Sequence, residues 1–357
     1  MRAATGLGIR AVTTAVLAIT AVPGPVAAAD ADATRYVNVP VATLWTSPQS
    51  PRPGVDDLAL GRQPDVRGWI ASMSDAQKRE LDAQTQALYG ARVTVDRTVT
   101  VAGVVWDHVW ADGQPAPVDG PGRGAYPGWV QDEQLTSRHV AGTGEWVHVG
   151  SRTAWAYRSP QDAAAHGGSG RVAEFSFDTS FSTVDRGPGW VEAAGADGPL
   201  YFAADDVTAT AQHVTGDDVV AAARRFLSPP LPYLWAGDSG FGFDCSGFTS
   251  SLYASFGITV PRDAGPQLDA SEPGQVPAGS APAVRISQES ELAPGDLAAF
   301  RNSSGAVVHV ALVSGVTDGM PTVIEAPRTG LPIREVPIAQ VGDGKVDFAG
   351  ASRFLAP

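Results

Sequence analysis

The 357 residues are 43% apolar and 18% charged, a balance that fits a folded globular protein and excludes a disordered or low-complexity chain. The formal charge of −13 speaks against nucleic acid, whose phosphates need clustered Lys and Arg, and against tight adhesion to an extended polyanion. The length exceeds one typical domain, so two or three are expected.

Residues 1–29 read as a secretory signal peptide. Arg2 and Arg10 lead, the apolar run VTTAVLAITAV follows, and PGPVAAA supplies small residues before cleavage after Ala28 or Ala29. A membrane anchor is the weaker alternative, because the run is short and is broken by Pro23 and Pro25. No cysteine follows it, which excludes a lipid anchor on cysteine. No later segment is long and apolar enough to span a bilayer, so the expectation is a secreted protein with no integral membrane segment after signal cleavage.

Between Thr34 and Val214 the chain is rich in Gly, Pro, Trp and Val, with alternating runs such as ARVTVDRTVTVAGVVWDHVW (91–110) that read as strands. The region is expected to be all-β. An internal repeat supports this: TSPQS (46–50) recurs as RSPQD (158–162), and PGWV (127–130) recurs at 188–191. The markers lie much further apart in the first copy, which therefore carries an insertion. Within it, SMSDAQKRELDAQTQALYG (72–90) reads as a helix capped by Ser74.

The junction falls near Thr215, which caps a helix expected over 215–228, with acidic residues in its first turn and Arg224 and Arg225 near its end. After Pro229, Pro230 and Pro232 comes PYLWAGDSGFGFDCSGFTSSLYASFG (232–257), which holds Cys245, the only cysteine. Asp244 is a good N-cap, Phe248, Leu252 and Phe256 form an apolar stripe, and Gly257 gives a C-terminal stop. The thiol therefore sits in the first turn of a helix, where unpaired N–H groups and the helix dipole favour the nucleophilic thiolate. Gly237, Gly240 and Gly242 are read as a loop that lets substrate approach. A small buried core thiol is the bland alternative. A lone cysteine in an exported protein is an oxidation liability without a task.

Downstream, the runs DLAAF (296–300), VVHVALVS (307–314), TVIEA (322–326) and VDFAGASRFL (346–355) read as strands of one sheet. His309 is the only histidine after the cysteine, and simple alternation turns it away from the face of Val308 and Val310. His108, His139, His148, His166 and His213 have no cysteine or acidic cluster at ligand spacing, so they read as surface or packing residues and no metal is expected.

PYLWAG with FDCSGF, then VPRDAGPQ (260–267), PGDLAAF (294–300) and VVHVALVSG (307–315), resembles the NlpC/P60 cysteine peptidases, which hydrolyse bacterial cell-wall peptides. The resemblance covers about Gly216 to Pro357 and implies an α+β, papain-like fold. It makes Cys245 the nucleophile and His309 the base, with Glu325 of VIEAP in the third catalytic position. That slot usually holds His, Asn or Gln, so the carboxylate is a departure, but it can accept the imidazole Nδ1–H as in serine-type triads. The family places a tyrosine near the oxyanion site, and Tyr233 matches it, with a packed ring as the alternative. No cofactor is implied.

The β region resembles the bacterial SH3 domains that precede many of these peptidases. The chain is thus expected to comprise the signal peptide (1–29), SH3-like barrels at 34–138 (with the insertion) and 140–214, and a catalytic domain at 215–357. Members with this arrangement resemble γ-D-glutamyl-L-diamino acid endopeptidases that act on released peptidoglycan peptides and recognise a free N-terminal L-alanine. The positions matching their recognition residues are Asp263, Asp244 with Ser246, and Tyr126 of AYPGWV. Asp263 could instead cap a turn and Tyr126 could be barrel packing. Many members carry an acidic residue after LYG, where this chain has Ala91. The partner is then a peptidoglycan-derived peptide, and the protein is expected to be a monomer. Two other classes stay open: a broader hydrolase of intact wall, and an inactive wall-binding protein, against which intact Cys245 and His309 count.

Overall fold

The computed structural model describes residues 33–117, 124–140, 144–328 and 331–355, so the expected signal peptide lies outside the described residues. The first unit holds β1 (Ala33–Val37), β2 (Val41–Trp45), α1 (Val66–Ser72), α2 (Asp75–Arg79), β3 (Ala83–Leu88), β4 (Arg92–Val101), β5 (Val104–Pro115), β6 (Ala125–Gln131) and β7 (Leu135–Thr136). Its strands form one sheet in the order β3-β2-β6-β5-β4-β1-β7. The second unit holds β8 (Trp146–Val149), β9 (Thr153–Tyr157), α3 (Pro160–Ala164), β10 (Arg171–Ser176), β11 (Ser180–Gly187), β12 (Trp190–Gly195), β13 (Gly198–Ala203) and β14 (Val207–Ala209). Its order is β10-β9-β13-β12-β11-β8-β14, the first sheet repeated strand for strand.

That repeat corrects the reading of one marker. TSPQS and RSPQD both follow the second strand of their unit, but PGWV lies on the sixth strand in the first copy and at the start of the fifth in the second. Both sheets are also open rather than closed barrels, since the outermost strands of each order do not pair. At the β3 end, the chain beyond the second unit packs on the sheet: the Asp238 N–H donates to the Gln86 side chain at 3.1 Å.

The helix expected over 72–90 is another correction. Ser74 does cap α2, in a capping box with Gln77, but the helix stops at Arg79 and residues 83–88 form β3. The polar residues that imitate an exposed helical face, Thr85 and Gln86, are fully buried and bonded to Arg262 and Asp238 of the last unit. Tertiary partners override local propensity here.

The third unit holds α4 (Gly216–Arg224), β15 (Asp238–Ser239), β16 (Gly242–Phe243), α5 (Cys245–Ala254), α6 (Ala264–Asp269), β17 (Val284–Ile286), β18 (Leu297–Arg301), β19 (Val307–Thr317), β20 (Met320–Glu325), β21 (Arg334–Pro337) and β22 (Asp347–Arg353). Apart from the β15–β16 pair, its strands form an antiparallel sheet in the order β17-β22-β18-β19-β20-β21. Helix α4 has its Thr215 cap but ends short of 228, because Arg225, Phe226 and Leu227 tighten into three-residue turns ahead of the prolines. Phe248 and Leu252 of α5 pack with Val310, Leu312 and Ile324 of the sheet.

The insertion in the first unit has a clear packing role. Trp69 and Ile70 of α1 cluster with Leu234, Ala236 and Phe241, which flank the segment leading to Cys245. Burying side chains of this kind contributes about 1.5–3 kcal/mol each, so the insertion helps fix the approach to the cysteine helix. No helix among the described residues is long and apolar enough to cross a membrane.

Candidate active site

Helix α5 begins at Cys245 because the Asp244 side chain accepts the Gly247 N–H at 2.6 Å. A side chain at Gly247 is impossible without backbone movement, since an added Cβ would lie 2.1 Å from the Gly237 carbonyl oxygen. The three glycines before the cysteine serve the same close packing, not substrate approach. All are buried, and a Cβ on Gly240 would meet the Arg152 carbonyl oxygen at 1.9 Å. Cys245 itself is partly exposed, and its N–H has no acceptor among the described residues.

His309 enters from β19. The ladder shifts between Phe300 and Arg301, which pair with His309 and Val307, so Val308 is bulged. The bulge interrupts the alternation only ahead of His309: Val308 is exposed, while His309 and Val310 follow in regular register and are both buried, the sheet being packed on both faces. Glu325 ends β20 and is 1% exposed. His309 Nε2 lies 2.6 Å from Glu325 Oε2. The carboxylate therefore engages Nε2, not the expected Nδ1, and leaves Nδ1 as the ring nitrogen for Cys245.

The electrostatics follow from this sandwich. Burial disfavours a charged imidazole, but hydrogen bonds and negative charge from Cys245 and Glu325 outweigh it and raise the His309 pKa to about 10. Burial pushes the Glu325 carboxyl upward, yet His309 and then Arg334 reverse this and hold it below its ordinary value. The arrangement thus favours an imidazolium at His309 backed by an ionised carboxylate.

Tyr233 is buried, bridges Phe243 and lies within electrostatic reach of the nucleophile: burial first, then the Cys245 charge, raises its phenol pKa. Asp263 precedes α6 but its side chain makes no cap bond. Instead the Tyr126 hydroxyl, from β6 of the first unit, reaches its two oxygens at 3.0 and 3.3 Å. Burial raises Asp263, with partial relief from Arg262. Asp244 and Ser246 are folded inward: Arg262 bonds both Asp244 oxygens at 3.1 and 2.8 Å and the Ser246 hydroxyl at 3.2 Å.

Arg262 and Arg334 are the residues that sequence reasoning missed. Arg262 is 2% exposed and also donates to Thr85 of the first unit, so it ties the cysteine cap to β3. Its signal was its place beside Asp263 in VPRDAGPQ. Arg334 faces Glu325 directly across the β20–β21 ladder, a pairing that spacing alone does not announce.

Outside this region, His108 bonds Asp96 and His139 packs on Tyr36. Burial pushes the His148 ring down to about 4. The fold, not sequence spacing, brings His166 near Asp205 and Asp206 at the surface of the second unit.

The model of the NlpC/P60 family matches residues 231–339. A gamma-D-glutamyl-L-lysine dipeptidyl-peptidase of Bacillus cereus is 34% identical over 345 residues, covering 91% of this chain and 92% of its own. A protein of the same name from Bacillus subtilis is 32% identical, covering 81% and 88%. The crystal structure of an NlpC/P60 family protein from Bacillus cereus superposes with a TM-score of 0.74 at 33% identity, over 90% of this chain and all of that one.

Proposed function

The chain belongs to the NlpC/P60 family and is a cysteine peptidase, and we propose that it cleaves the γ-D-glutamyl–diamino acid amide of peptidoglycan stem peptides outside the cytoplasmic membrane. The observation that carries the chemistry is the placement of His309 between Cys245 and Glu325. The Cys245 sulfur attacks the amide carbonyl while the Cys245 N–H stabilises the oxyanion. Nδ1 of His309 protonates the leaving amine, the C–N bond breaks, and an acyl-thioester remains. His309 then takes a proton from water, which hydrolyses the thioester and restores the thiolate.

The Tyr126–Asp263 pair supports recognition of a free N-terminal L-alanine, because a carboxylate and a phenol from two units converge where an ammonium group would meet both. The two sheet units, of repeated strand order, are read as SH3-like modules, the first of which brings Tyr126 to this end of the cleft. The names of the two bacillary relatives favour L-lysine as the diamino acid.

The test measures release of lysine or diaminopimelate from the soluble tripeptides L-Ala-γ-D-Glu-L-Lys and L-Ala-γ-D-Glu-diaminopimelate, against clearing of intact sacculi. Rapid turnover of the free peptide, abolished in Cys245→Ala with the fold retained, is expected. Clearing of sacculi without turnover of free peptide identifies a broader wall hydrolase instead.

A further inference from the structure

Glu325 is a buried carboxylate with a different cation on each oxygen. His309 Nε2 holds Oε2 at 2.6 Å, and Arg334 Nε donates to Oε1 at 2.8 Å. Arg334 Nη2 lies 2.7 Å from the same Oε1 but off the hydrogen-bond line, so Nε carries the bond. We propose that Arg334 is a positioning residue of the active site, keeping Glu325 ionised and aimed at His309 and so setting the pH at which the Cys245–His309 ion pair forms.

The argument is one of charge in a low-dielectric site. Thiolate, imidazolium and carboxylate sum to one negative charge, and Arg334 brings the set to neutrality. Without it, the neutral arrangement that keeps Glu325 ionised has its proton on the thiol, so the reactive pair backed by the carboxylate forms only at higher pH. The facing groups are Cys245 from α5, His309 from β19 and Arg334 from β21; on the nucleophile side Tyr233 feels the charge of Cys245 together with those of Asp244, Arg328 and Arg262. A salt bridge serving only to staple β20 to β21 would affect stability and leave the titration alone.

The inference rests on the proposed roles of Cys245 and His309, but not on the choice of peptide. Its test is therefore the rate of Cys245 alkylation by iodoacetamide against pH, measured on the full-length protein as parent, Arg334→Gln and Arg334→Lys, with kcat/KM profiles in parallel. The acid limb of Arg334→Gln should move to higher pH by about one unit. Arg334→Lys, which keeps the charge, should recover most of that displacement. Superimposable alkylation profiles for parent and Arg334→Gln, or equal displacement in Gln and Lys variants, overturn the proposal. If Arg334→Gln does not fold, Arg334→Lys against parent still decides: a displacement of a full unit with the charge present overturns it, and a profile near the parent's supports it. An alkylation shift without turnover of the tripeptide would overturn only the substrate assignment.

Discussion

The nitrogen of His309 that Glu325 holds is Nε2, at 2.6 Å, which turns Nδ1 toward the nucleophile. Glu325 thus acts on the ring twice, by fixing its orientation and by stabilising its positive charge. Glu325→Gln keeps an oxygen acceptor but removes the charge, so the imidazolium gives up its proton sooner and the alkaline limb of kcat/KM moves to lower pH. Glu325→Ala loses the positioning as well. It should cost more than Gln, at least tenfold and at most the about 10²–10⁴-fold that a positioned acid–base contributes. Parallel kcat/KM profiles check this. An Ala variant equal to the parent at all pH values removes Glu325 from the site.

The same pair makes stability depend on pH. The His309 pKa in the folded protein is about 10, because Cys245 and Glu325 outweigh burial, against roughly 6.5 in an unfolded chain. A raised folded-state pKa contributes stability that is complete below about pH 6.5 and is lost as pH rises toward 10. The melting temperature of the parent should therefore fall across that window more steeply than that of His309→Gln. Cys245→Ala, which removes one source of the shift, should lie between them. Melting curves from pH 6 to 10 decide it, and coincident slopes refute it.

Arg262 should matter more for folding than any other side chain near the site. It is 2% exposed and bonds Asp244, Ser246, Thr85 and the Gly237 carbonyl. Arg262→Met leaves the Asp244 charge buried and unpaired, at a cost of about 3–5 kcal/mol. Adding Asp244→Asn should recover part of the loss, because the orphan charge goes. Denaturant unfolding of the single and double variants measures this, and additive losses count against the coupling.

The nucleophile end of the site was legible in the sequence because its signals are local. Asp244 caps Cys245 and Phe248 and Leu252 fall four apart, so the helix and its exposed first turn follow from short-range rules. What was not legible depends on distant partners. Thr85 and Gln86 looked like solvated helix residues because Arg262 and Asp238, which bury them, lie more than 150 positions away. The second PGWV was matched to the wrong strand because the two units share strand order and not turn sequences. The exposure of Val308 beside a buried His309 depended on a bulge that no residue type signals.

Tyr126 and Asp263 lie on different units, yet the phenol donates to the carboxylate at 3.0 Å. Asp263 does not cap α6, so its charge is free of the helix and directed at the junction. An ammonium group docking there gains a charged hydrogen bond worth about 1.5–3 kcal/mol. Asp263→Asn should therefore reduce kcat/KM for the free tripeptide on the order of 10- to 100-fold, chiefly through KM, and should narrow the gap between free and N-acetylated peptide. Tyr126→Phe removes only a donor and should have a smaller effect in the same direction. Burial holds the Asp263 carboxyl above its ordinary range despite Arg262, so KM should climb as pH falls, and from a higher pH than an exposed aspartate gives. The decisive measurement is the ratio of kcat/KM for free over acetylated tripeptide in the parent and both variants. A ratio unchanged in Asp263→Asn assigns the amine to another group and leaves Tyr126–Asp263 as a contact that holds the two units together.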